Sequence, residues 1–139
     1  MDVIFLLDAS GSIGLHTFSL TKSFVSQLID YFDVDNGLVR VGACSYSAHV
    51  TSSFNLIDHT TTTEVKNAIM SLAYSGGIAN TAMVLAYVRT VMLTSAAGHR
   101  ADVPTVIVIL TDGPSRDPLA ARVSLIQQCY NMFLIAKKW

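Results

Sequence analysis

Val3-Ile4-Phe5-Leu6-Leu7-Asp8-Ala9-Ser10-Gly11-Ser12 is the stretch that decides the fold. Its opening apolar residues run without interruption, and a strand with one wet face would alternate instead, so the stretch reads as a strand covered on both faces. It stops at a carboxylate followed by small turn residues. From His16 to Phe32 the spacing changes: Phe18, Val25, Leu28, Ile29 and Phe32, with Thr21 filling the gap, recur every three or four residues, as in an amphipathic helix. Strand, polar turn and helix make the first half of a parallel crossover unit.

Outward from that unit, Asp33 to Gly37 breaks the helix. Val39 to Tyr46 and Val50 to Phe54 read as strands joined by Ser47-Ala48-His49, a link short enough for an antiparallel hairpin with the second strand at an edge. Thr61-Thr62-Thr63-Glu64 has the spacing of a capping box, and Val65, Ala68, Ile69 and Leu72 follow on one helical face. A small-residue loop, Tyr74-Ser75-Gly76-Gly77-Ile78-Ala79-Asn80-Thr81, leads into a helix over Ala82 to Leu93. After a polar return loop, Thr105 to Leu110 is the most β-branched run and reads as a central parallel strand ending at Thr111-Asp112-Gly113-Pro114. Pro118 to Tyr130 fits a helix and Met132 to Ala136 a last strand. The order β-α-β-β-α-α-β-α-β predicts an α/β fold: an open, mainly parallel sheet with one antiparallel edge strand and helices on both faces.

Composition narrows the function. The 139 residues are one domain's length, so a single domain over 1–139 is expected. Hydrophobic residues make up 51% and charged residues 14%, which excludes disorder as a class. Nine Lys and Arg against ten Asp and Glu leave a net charge of -1, so no basic field draws nucleic acid or an anionic membrane. The longest nearly apolar run, Val103 to Leu110, falls far short of the roughly 20 residues of a membrane-spanning helix. Cys44 and Cys129 are too few for a disulfide scaffold, and Cys44 lies within an apolar run, where a buried free thiol is expected.

In open parallel sheets ligands bind beyond the carboxyl ends of the strands. Asp8, Ser10 and Ser12 follow the first strand at alternate positions and Asp112 follows the most β-branched one, so these carboxylates and hydroxyls converge at one edge. Hard oxygen donors with few charges suit Mg²⁺ or Ca²⁺. The plainer reading makes Asp8 and Ser10 helix caps and Asp112-Gly113-Pro114 a turn. Enzymatic alternatives lack their parts: neither serine sits in a Gly-x-Ser-x-Gly elbow. Ser10 stands where an aspartyl phosphotransferase needs a second carboxylate. Gly11 and Gly14 complete no nucleotide loop, and His16, His49, His59 and His99 have no metal-ligand spacing.

The first strand with its Asp8-Ala9-Ser10-Gly11-Ser12 turn, Arg40-Val41-Gly42, Tyr46-Ser47, Gly76-Gly77 with Asn80-Thr81, and Val108-Ile109-Leu110-Thr111-Asp112-Gly113 together resemble a von Willebrand factor type A domain, nearest in flavour to those of collagen VI, matrilins and related matrix proteins. The resemblance implies a Rossmann-like fold and a metal-ion-dependent adhesion site formed by Asp8, Ser10, Ser12 and Asp112. It implies a secreted, non-enzymatic module of the extracellular matrix that binds a protein ligand such as a collagen, a ligand carboxylate completing the cation's coordination. A structural assembly module, as in fibrous or mineralised invertebrate matrix, with a non-functional metal site is the alternative.

Two departures qualify the resemblance. An ungapped alignment puts Ala79 where the family has a coordinating threonine, so Thr81 is the candidate substitute and the Mg²⁺ or Ca²⁺ site is expected to be weak to moderate. The family also continues past the Met132 to Ala136 strand with another strand and helix, while this chain ends at Lys137-Lys138-Trp139, so a C-terminally truncated domain with an uncovered edge, and hence self-association, is expected. Tyr74 and Arg116 are candidate rim residues that select the ligand.

Overall fold

The computed structural model describes residues 1–112 and the backbone of the strand 131–136. The helix expected over Pro118 to Tyr130, together with Arg116 and Cys129, lies outside the described residues.

β1 (Asp2–Asp8) is buried at every position, as its unbroken apolar run requires. It lies in the middle of a five-stranded sheet of order β3-β2-β1-β4-β5. β2 (Arg40–Tyr46) and β4 (Thr105–Thr111) flank it in parallel, β5 (Asn131–Ala136) pairs parallel with β4, and β3 (Val50–Phe54) pairs antiparallel with β2. The expected sheet, antiparallel edge strand included, is the one that forms.

Alternation along β1 divides the core in two. Val3, Phe5 and Leu7 face one cluster with Phe18, Val25 and Ile29 of α1 (Gly14–Ile29) and Val65 and Ile69 of α2 (Thr62–Met70). Ile4 and Leu6 face the other, with Ile107 and Ile109 of β4 and Val84 and Leu85 of α3 (Thr81–Tyr87). Each face of the sheet therefore buries its own helices, which is what a doubly covered parallel sheet needs.

Helix boundaries differ from expectation for local reasons. α1 stops at Ile29 because Asp30, Tyr31 and Phe32 donate to the carbonyls three residues back, Gln27, Leu28 and Ile29. Phe32 still packs on Phe5, with ring centroids 6.5 Å apart. α2 opens on the anticipated box: the Thr61 hydroxyl accepts from Glu64 N–H while the Glu64 carboxylate accepts from Thr61 N–H. The Thr60 N–H, donating to the same carboxylate at 3.1 Å, and after it the Thr61 bonds hold the Glu64 carboxyl below its usual range. The helix expected as one piece over Ala82 to Leu93 is α3 followed by a π turn, Val88–Met92, in which Leu93 N–H reaches back to Val88 O at 2.9 Å.

Candidate metal-ion site

The turn after β1 is built on Asp8. Its Oδ1 accepts the Ser10 backbone N–H at 2.9 Å, folding the chain back toward α1, and its Oδ2 accepts the Thr111 hydroxyl at 2.7 Å from the end of the neighbouring strand. Ser10 Oγ lies 3.0 Å from Ser12 Oγ, and Ser12 Oγ donates to Asp112 Oδ1 at 3.3 Å. Asp8, Ser10, Ser12 and Asp112 are thereby one connected group. It runs from the interior outward: Asp8 and Ser10 are each 1% exposed, Asp112 is half-buried and Ser12 is open to solvent.

A third segment, the loop before α3, is pinned to that turn backbone to backbone. Gly76 N–H donates to Ala9 O at 2.9 Å and Gly11 N–H to Gly77 O at 2.8 Å. Ser75 Oγ donates to Ser47 Oγ at 2.9 Å, and Asn80 N–H to Ser47 O at 2.8 Å. Tyr74 sits beside the group: its hydroxyl donates to Ser10 O at 3.4 Å and its ring lies 5.7 Å from that of Phe18. Ala79 packs half-buried against the core beneath α3 and brings no oxygen. Thr81, 1% exposed at the first position of α3, has its Oγ1 3.2 Å from Tyr46 OH. A ligand role for Thr81 therefore requires exchanging that bond. Arg116 is outside the described residues.

The charge balance is uneven. Asp8 is buried, and among the described residues its carboxylate meets only neutral donors. The ion pairs among the described residues, Lys66 with Asp30 and Arg100 with Asp2, are elsewhere. A buried anion without a cation is costly, by several kcal/mol in real proteins. Carboxylate and hydroxyl oxygens are the donors Mg²⁺ and Ca²⁺ prefer, so the residues present fit such an ion. Among the described residues no cluster of three His, Cys, Asp or Glu side chains forms, so a cation held here would need serine hydroxyls as well as carboxylates.

Among the described residues neither Ser10 nor Ser12 bonds a histidine: His16 and His49 are exposed, His59 stacks edge-on against Phe54 at 5.2 Å, and His99 Nε2 lies 3.0 Å from Thr105 Oγ1. His59 and His99 are thus packed into the structure.

Sequence reasoning passed over two residues. Thr111 binds Asp8 directly, and the Tyr46 hydroxyl, bordering Thr111, lies 3.2 Å from Thr81 Oγ1. Burial first, and the nearby Asp8 charge in addition, push the Tyr46 phenol above its ordinary range, so it stays protonated. The available signal was position: each polar group ends a strand next to β1.

A family model described as the von Willebrand factor type A domain matches residues 2–138. The collagen alpha-4(VI) chain of Mus musculus is 36% identical over 118 residues, covering 84% of this chain and 5% of that protein. The collagen alpha-1(XX) chain of Homo sapiens is 34% identical over 139 residues, 99% of this chain and 11% of that one. The chain spans from 5% to 29% of the curated relatives it matches. Among solved structures, proximal thread matrix protein 1 from the mussel byssus superposes with a TM-score of 0.84 at 25% identity, covering 97% of this chain and 36% of that chain. Another structure of that mussel protein, described as having a zinc-occupied MIDAS motif, shares the fold with a TM-score of 0.81 at 23% identity, covering 97% of this chain and 34% of that chain.

Proposed function

The chain belongs to the von Willebrand factor type A domain family, and from that premise we propose that it is a secreted, non-enzymatic module of an extracellular matrix that grips a protein ligand, a collagen or another matrix component, through a divalent cation at Asp8, Ser10, Ser12 and Asp112. The observation that carries this reading is the buried Asp8 carboxylate, held by the Ser10 N–H beside a hydroxyl series, Ser10 to Ser12, that ends on the Asp112 carboxylate, with no cationic side chain paired to Asp8 among the described residues.

Asp8 and Asp112 supply negative charge, and Ser10 and Ser12 supply hydroxyl oxygens. The lock between the Asp8 turn and the Gly76-Gly77 loop holds those oxygens in place before any ligand arrives, which lowers the ordering cost of binding. Bound there, Mg²⁺ or Ca²⁺ would offer a coordination position to a carboxylate of the partner. Tyr74 stands at the rim where that partner would approach, and Arg116 is proposed to join it. The collagen relatives and the mussel thread protein support the matrix setting, and the zinc-occupied site of that mussel protein supports the metal reading.

Ala79 favours a second reading, an assembly module whose contacts are protein to protein without a metal, because it removes one oxygen and Thr81 is already bonded to Tyr46. Solid-phase binding to fibrillar and microfibrillar collagens separates the two. On the first reading binding disappears with EDTA and in Asp112→Ala; binding that survives both establishes the second.

A further inference from the structure

The hydroxyls beneath Asp8 form a buried series that ends on its carboxylate. Thr111 Oγ1 donates to Asp8 Oδ2 at 2.7 Å. The Tyr46 phenol borders Thr111, and its oxygen lies 3.2 Å from Thr81 Oγ1. Thr81, Tyr46 and Thr111 therefore run in series toward one carboxylate oxygen, and hydrogen-bonded series polarise and strengthen one another. All three side chains are buried, Tyr46 fully so. The other Asp8 oxygen is held by Ser10 N–H. Asp8 is thus clamped at both oxygens, one side by its own turn and the other by a relay anchored on the first turn of α3.

We propose that Tyr46 and Thr111 are positioning residues for cation binding, acting through Asp8 by orienting its carboxylate toward the serine hydroxyls. The inference rests on the cation reading above for its role, and on the hydroxyl chain alone for its geometry. On this account Thr81, whose hydroxyl ends the series, would have to leave Tyr46 to take the place of the oxygen that Ala79 lacks. Partners that orient a metal ligand typically change affinity by 10- to 100-fold when removed.

The test uses Tyr46→Phe and Thr111→Val, which delete the hydroxyls with little change in shape, Thr111→Ser as the conservative variant, and Tyr87→Phe as a control that deletes an exposed hydroxyl bonded to Ser53. Two quantities are measured: Mn²⁺ and Mg²⁺ affinity by calorimetry, and hydrogen exchange of the Ser10 amide in chelator. Tyr46→Phe and Thr111→Val are expected to lose about tenfold in ion affinity and to exchange the Ser10 amide several-fold faster, while Thr111→Ser and Tyr87→Phe match the parent. Unchanged Ser10 exchange in Tyr46→Phe and Thr111→Val overturns the proposal whether or not ion binds. A parent protein that takes up no ion, with faster Ser10 exchange in those variants, overturns the cation reading and leaves the clamp standing.

Discussion

Arg100 grips Asp2 at the end of β1 opposite the candidate site: its backbone N–H lies 2.8 Å from Oδ2, its Nε 2.9 Å and an Nη 2.7 Å from Oδ1. Asp2 is wholly buried, and the same guanidinium reaches the carbonyls of Met1 and Gly37. Removing Arg100 strands a buried charge. Arg100→Ala is expected to cost about 3–5 kcal/mol in urea denaturation, whereas Lys66→Ala, which breaks a pair on the surface, costs under about 1 kcal/mol. Equal losses would show that the Asp2 pair is not a stability determinant.

Two glycines with similar backbones separate strain from crowding. Gly37 (φ +74°) has open space where a Cβ would stand, but at Gly98 (φ +89°) it would lie 2.7 Å from Ile57 Cβ. Gly37→Ala should cost about 1–2 kcal/mol from the left-handed backbone alone. Gly98→Ala adds the displacement of Ile57 and should cost at least about 1 kcal/mol more, read as a larger fall in the urea midpoint.

Cys44 makes stability fall in alkali. Burial raises its thiol from an ordinary 9.0 to about 12, so the unfolded chain loses this proton first. The stabilisation is complete below pH 9 and is lost as pH climbs toward about 12, the raised Tyr46 phenol acting in the same direction. Denaturation midpoints at pH 7.5, 9.5 and 10.5 should decline, and less steeply in Cys44→Ala. A thiol reagent should label Cys44 only at the rate of unfolding.

Restoring the missing oxygen should strengthen the proposed site. Ala79→Thr is expected to bind Mg²⁺ and Ca²⁺ several-fold more tightly than the parent, and Asp112→Ala more weakly. At ion concentrations ten times the dissociation constant, binding stabilises the fold by about 1.4 kcal/mol, enough to move a melting curve. A curve unaltered by millimolar ion in both the parent and Ala79→Thr would remove the metal from the account.

Local patterns were legible in the sequence and distant pairings were not. The unbroken run in β1 announced a strand covered on both faces, and Thr61 with Glu64 announced the start of α2, because in each the cause lies within a few residues. The π turn after Tyr87 leaves no such mark, since Val84, Leu85, Val88 and Met92 keep a helical spacing through it. Asp8, Ser10 and Ser12 could be picked out because a strand end before small residues is a common place for ligands. The engagement of Thr81 by Tyr46, 35 positions apart, could not, nor the Asp2–Arg100 clamp across 98. Such contacts depend on which strands become neighbours, and that is decided by the whole chain.

The central place of β1 has a mechanical meaning for a module under tension. Register pairs run from Asp2 to Asp8 against β2 and from Asp2 to Leu7 against β4, all in parallel strands. Their hydrogen bonds lie across the strand, so a pull along β1 shears both ladders together instead of peeling bonds one at a time. A load transmitted through the candidate site would enter the molecule at Asp8, on the strand that has a parallel partner along each side.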